Sequence, residues 1–188
     1  MRRLPIVPTI IVLIAVGVMI RLGVWQLDRM HEKEAMLARY TAAQAAGTEM
    51  PFPTKPDSVE AALYHHSALD CLGASNPTSR SGRNANGDAG IAQIVTCRLG
   101  NGASVEVVLG VGQTPATVAW AGGKVTGWIA PGPKLIADPP LAGLTANARP
   151  DPNDIPNNHW SYAIQWFLFA AVALIIYVIA LRKRWRER

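Results

Sequence analysis

Two uninterrupted apolar runs constrain this chain more than any other feature. The first, Pro5 to Leu22, contains IVPTIIVLIAVGVMI and meets no charge before Arg21. The second, Tyr162 to Leu181, carries no ionisable side chain except the phenols Tyr162 and Tyr177. Each matches the roughly 20 residues that carry a helix across a hydrocarbon core of about 30 Å. The segment between them has ordinary polar content, so the pattern predicts two membrane spans flanking one soluble domain. A cleavable signal peptide would need a small-residue cleavage site soon after the first run. The chain instead continues Arg21-Leu22-Gly23-Val24-Trp25-Gln26, so an uncleaved anchor is expected. The run starts within a few residues of Met1, leaving no mitochondrial presequence. That favours a bacterial inner membrane.

Charge divides along the same lines. Arg2 and Arg3 contribute +2, and the five basic residues after Leu181 contribute +4 once Glu187 is counted. The overall +5 therefore leaves −1 for residues 4–181. The basic pI of about 9.6 describes two short tails and not a nucleic-acid surface. Basic residues beside span ends stay cytoplasmic. Both tails (1–4 and 182–188) are expected inside, the central domain (46–158) in the periplasm, and the spans at 5–24 and 159–181.

The first helix is expected to outlast its span. LDRMHEKEAMLARYTAAQAA is rich in helix formers and free of Gly and Pro. Gly47 offers a C-terminal cap, and Pro51 and Pro53 forbid continuation. These signals predict a helix over about 6–45. From Lys55 the pattern changes to strands: 62–73, 91–99, 104–111, 124–130 and a weaker 134–140. Gly100-Asn101-Gly102 between two apolar runs predicts a hairpin. The Gly/Asn/Ser-rich stretch 74–90 reads as a mobile loop. Its glycine spacing, Gly82 to Asp88, lacks the Lys-Ser/Thr of a phosphate loop, which excludes nucleotide binding there. The expected fold is membrane α+β, with two antiparallel transmembrane helices and a small antiparallel β-rich sheet or open barrel. The stretch 139–156 is an extended return to the membrane.

Cys71 and Cys97 are the only cysteines. If runs 62–73 and 91–99 pair, the hairpin turns at about residue 84 and sets the two opposite each other, close to disulfide geometry. Such a bond contributes about 3 kcal/mol by chain entropy. A copper-binding thiol pair is the alternative, without the short spacing that chelation usually uses. His65 and His66 point to opposite faces of a strand, which argues against shared metal ligation. His31 sits among charges and reads as solvated. No Ser/His/Asp set, H-E-x-x-H or paired carboxylates argue for catalysis, so no enzyme is expected.

The membrane ends hold the remaining candidates. Trp25, Trp160 and Trp166 suit an interfacial aromatic belt, and Arg21 can snorkel to headgroups. If the spans pack antiparallel, Arg21, Trp25 and His159 share one depth. A cation, aromatic faces and an imidazole there could equally hold a haem. The belt and the haem site both stay open on the residues alone.

The run Leu22-Gly23-Val24-Trp25-Gln26-Leu27-Asp28-Arg29 resembles the L-G-x-W-Q-x-x-R signature of the surfeit locus protein 1 family. Pro156-Asn157-Asn158-His159-Trp160-Ser161-Tyr162-Ala163-Ile164-Gln165-Trp166-Phe167 resembles its P-N-N-H-x-x-Y-A-x-x-W-F signature. The family's two spans with one outer domain also match. The likeness is firm over about 22–33 and 150–182 and loose between. The family's central R-G-W is absent, the comparable stretch reading Val108-Leu109-Gly110-Val111-Gly112-Gln113.

The resemblance implies an assembly factor for haem-copper terminal oxidases that binds haem a and aids its insertion. On this resemblance His159 is the iron ligand, with Trp25, Trp160 and Trp166 flanking it and Arg21 or Arg29 meeting the propionates. The motif positions carried over are Gly23, Trp25, Gln26, Arg29, Asn157, Asn158, His159, Tyr162 and Trp166. Implied partners are the oxidase catalytic subunit, haem a synthase and the lipid bilayer, with no nucleic acid. The alternative is a haem-free scaffold that stabilises the immature oxidase subunit.

Overall fold

The computed structural model describes residues 5–115 and 118–187. Arg2, Arg3 and the rest of the expected tail 1–4 lie outside the described residues, as does Arg188. The described chain forms two compact units. One comprises residues up to 37 together with those from 155 on, and the other is 38–154.

Helix α1 runs Ile6–Ala46, where the sequence predicts a helix over about 6–45. It stops at Gly47, whose φ of 59° is the left-handed conformation that closes a helix without a Cβ penalty. Helix α3 runs His159–Arg186. The basic residues expected as a separate tail continue it, and Lys183, Arg184 and Arg186 lie in its last turn. There they oppose the negative end of the helix dipole. Both helices are long and apolar enough to cross a membrane, with apolar windows only 11% and 6% buried.

The second unit holds α2 (Pro56–Ala62), β1 (His66–Cys71), β2 (Gly73–Arg83), β3 (Ala89–Arg98), β4 (Ser104–Gly112), β5 (Gly123–Ala130) and β6 (Lys134–Ala137). Helix α2 is not among the elements the sequence predicts. Pro56 stands at its start, where a missing N–H costs nothing. The strand expected over 62–73 is shortened: its first residue belongs to α2, Tyr64 turns left-handed at φ 64°, and β1 starts only at His66. The last turns of α1 belong to this unit. Tyr40 packs on Tyr64 with ring centroids 4.9 Å apart, and Gln44 Nε2 donates to Pro150 O at 2.6 Å.

The six strands form one open sheet in the order β1-β5-β6-β4-β3-β2. It is mixed, not antiparallel as expected. The β5–β6 hairpin lays β6 beside β4 in parallel, with Val107 opposite Leu135. The alternation of strand residues builds the core. Val105, Val107 and Leu109 of β4 cluster with Val95, Val125, Ile129 and Leu135, while Val108 joins Ala92 and Ile94 in a smaller cluster.

The stretch read as loop 74–90 is strand β2, a tight turn and the start of β3. Asn84 Oδ1 accepts from the N–H groups of Asn86 at 3.0 Å and Asp88 at 2.9 Å, and so organises the turn. β2 is an edge strand and mostly exposed, which accounts for its polar composition.

Cys71 and Cys97 are disulfide-bonded with Cα atoms 5.4 Å apart. The route to that bond differs from the hairpin expected. β3 pairs with β2 instead, and β1 pairs with β5. Cys71 ends one edge strand, and the chain passes through Leu72 directly to the other edge. The Leu72 N–H donates to Arg98 O at 2.9 Å. The disulfide therefore ties β1 to β3 at the corner where the two edges of the sheet come together.

Candidate functional site

The residues singled out at the membrane ends lie in the helical unit. Contacts along it run in opposite directions on the two helices. The hydroxyls of Thr9, near the start of α1, and Tyr177, late in α3, are hydrogen-bonded. Gln26 meets His159, the first residue of α3. Between these contacts the buried positions are Val16 and Gly23 on α1 and Ala163 and Ala170 on α3. On each helix the spacing is seven residues, the period of a seam between two supercoiled helices. Small side chains let the helices approach closely without a hydrophobic driving force. The approach is close at Gly23, where a Cβ would lie 2.6 Å from Phe167 Cε1.

That approach positions Gln26, three residues further along α1. Its Oε1 lies 2.7 Å from His159 Nδ1. Both side chains are half-buried. Two residues before His159, Asn157 holds its Oδ1 buried with no hydrogen-bond partner among the described residues. Asn158 precedes α3 as its N-cap without a side-chain cap bond.

The other expected residues surround this pair loosely. Arg21, Trp25 and Arg29 succeed each other at four-residue spacing and so share one row of α1. Trp25 is 45% exposed and Trp160 56% exposed. Trp166 is half-buried and meets Phe169 edge-on at 6.2 Å. Arg29 is held in an ion pair with Glu32, while Arg21 is exposed. Tyr162 is also exposed. The structure thus joins Gln26 to His159 and Gly23 to Phe167, and leaves Trp25 and Trp160 as open faces. Phe167 ends the second signature without being one of the candidate residues. Its packing against Gly23 has no sequence signal beyond the pairing of a glycine with a large ring.

His31 lies 3.4 Å from Glu34 on α1. His65 and His66 do not share a strand as expected, because β1 starts at His66 and His65 lies in the bend before it, yet the two side chains still meet different partners. His65 Nδ1 is 3.0 Å from Thr48 Oγ1, and His66 stands edge-on to Trp128 at 5.4 Å. Trp128 anchors a polar cluster that the sequence does not reveal. Its Nε1 donates to Asp138 at 3.1 Å, and Arg149 lies over its ring at 5.1 Å.

Two long apolar helices, each a candidate membrane span, are joined through a Gln–His contact, with a mixed six-stranded sheet between them in sequence. The sequence model of the SURF1 family, which is the surfeit locus protein 1 family, matches residues 13–171. This chain belongs to the SURF1 family, an assembly-factor family associated with cytochrome oxidase assembly. A comparison with curated proteins returned no match.

Proposed function

We propose that this protein is a non-catalytic inner-membrane assembly factor that receives haem a at His159 and helps its insertion into the oxidase catalytic subunit. One observation carries the reading. The two family signatures are separated by more than a hundred residues, yet they meet in the hydrogen bond between Gln26 and His159. A metal-ligating histidine characteristically gives its other ring N–H to a carbonyl or carboxylate, and Gln26 supplies such a group. The donor set would suit a haem bound through the His159 imidazole. Trp25 and Trp160 offer exposed aromatic faces, and Arg21, one helical turn from Trp25, is the cation suited to a propionate. Arg29 is the weaker choice because Glu32 occupies it.

Bound haem a would supply the redox centre destined for the oxidase. The chain's own part is to hold and orient that group and then give it up. A single protein ligand suits release better than two. The exposed apolar surfaces of α1 and α3 support placement in a bilayer, since patches of that extent are rare on soluble monomers. The basic end of α3 supports a cytoplasmic C-terminus, which would set the β-rich domain in the periplasm. Haem a synthase is the donor that this role requires.

The test is the visible spectrum of the detergent-purified full chain, co-expressed with haem a synthesis enzymes, beside His159→Ala. Haem a in the wild type and a lost or shifted Soret band in the variant support the carrier reading. A colourless wild type whose deletion still lowers oxidase assembly makes the protein a haem-free scaffold.

A further inference from the structure

The His159 ring is held by a bond with a direction. Its Nδ1 faces Gln26 Oε1 at 2.7 Å. An amide oxygen only accepts hydrogen bonds, so Nδ1 must be the donor. A neutral imidazole protonated at Nδ1 keeps its lone pair on Nε2.

We infer that Gln26 is a positioning residue that locks His159 as the Nδ1–H tautomer and makes Nε2 its iron-ligating atom. The inference deepens the haem reading and rests on it. The ring needs such a lock. His159 is the first residue of α3, and the adjacent Asn158 makes no side-chain cap bond. The lock in turn needs the close helix approach, which Gly23 permits three residues before Gln26.

The choice of an amide has a chemical consequence. A carboxylate at this position would form a charge-assisted bond and draw the Nδ1 proton more strongly. That would raise the basicity of Nε2 and strengthen its bond to iron. A neutral carbonyl orients the ring with less of this push. Gln26 therefore sets a ligation of intermediate strength, which suits a carrier that must let its cargo go.

The experiment uses the full chain in detergent with 15N-labelled histidine, and His159→Ala assigns the His159 signals among the four histidines. Two-bond proton–nitrogen spectra of the haem-free protein read the tautomer directly. Haem a is then titrated into wild type, Gln26→Leu and Gln26→Glu, and the ferrous iron–histidine stretch is recorded by resonance Raman. The expected wild type shows His159 protonated at Nδ1. Gln26→Leu loses that preference, lowers the stretching frequency and weakens haem affinity about 10- to 100-fold. Gln26→Glu keeps the tautomer, raises the frequency and restores affinity, which a merely structural role would not do.

A wild-type ring protonated at Nε2 overturns the inference. So does a Gln26→Leu protein with unchanged tautomer and frequency. If the tautomer is Nδ1–H but wild type takes up no haem, the haem reading falls and the hold of Gln26 on the ring stands.

Discussion

Tyr64 combines two costs at one residue. Its backbone is left-handed at φ 64°, and its side chain is 1% exposed against Tyr40. Burial is the main cause raising the Tyr64 phenol above its ordinary value of 10.0, with Tyr40, Asp154 and Asp151 adding to it. Burial also leads for Tyr40, reinforced by Glu60 and opposed by Arg39. The sign comes from linkage. Below about pH 10 both phenols are protonated folded and unfolded, and their packing contributes in full. Above it the unfolded chain releases its protons first, so stability falls as pH climbs through the raised folded values. Melting temperatures of the full chain across the alkaline range should decline above about pH 10. The Tyr40→Phe/Tyr64→Phe double variant should decline less steeply, and an identical slope would remove the phenols from the account. Residue identity alone could name His159 and Gln26, since both stand in recognisable runs. It could not join them, because no local pattern says which residue of a distant helix lies opposite an imidazole.

At the scale of elements, what can be read in the sequence tracks burial. Strands β3, β4 and β5 bury alternating or continuous apolar residues, and their runs are visible. β2 hides in polar composition because it is an exposed edge, and its 11 residues have no apolar period to detect. The parallel β4–β6 pairing is a non-local choice that no turn signal announces. The cysteine spacing points to the right bond for an incomplete reason. It allows a hairpin bridge, whereas the structure uses the bond to tie a sheet corner. Its closed loop still predicts roughly 3 kcal/mol of stabilisation by chain entropy. Cys71→Ser/Cys97→Ser should destabilise the β-rich domain to denaturant by that amount, and an unchanged midpoint would refute it. The helix seam makes a second element-level prediction. Gly23→Ala should destabilise the full chain in detergent by about 1–3 kcal/mol through overpacking. Phe167→Leu, by shortening the opposing side chain, should recover most of that loss. A Gly23→Ala protein as stable as wild type would mean the helices do not approach this closely.

For the whole molecule, the decisive property is how little of the two apolar helices the protein itself covers. Only 11% and 6% of their most apolar stretches are buried. Burial of apolar surface normally offsets the entropy of ordering a chain. Here the surroundings must do it, and on the proposed placement a hydrocarbon core would do so, since each helix satisfies its own backbone hydrogen bonds. Orientation then rests on charge. Arg182, Lys183, Arg184 and Arg186 crowd the end of α3, whereas the first turn of α3 has no acidic side chain and begins with His159. On the proposed membrane placement, such a cluster would hold the basic end in the cytoplasm. A fluorescent protein fused after Arg186 should therefore glow, and alkaline phosphatase fused there should stay inactive. Phosphatase inserted at the 84–88 turn should be active, because that turn lies between the spans in sequence. Replacing the four basic residues with Gln should weaken this bias and raise phosphatase activity at the C-terminal fusion. If the C-terminal phosphatase is active in the unaltered chain, the orientation is reversed. His159 would then face the cytoplasm, and a haem-carrying site there would have to exchange its cargo on that side of the membrane.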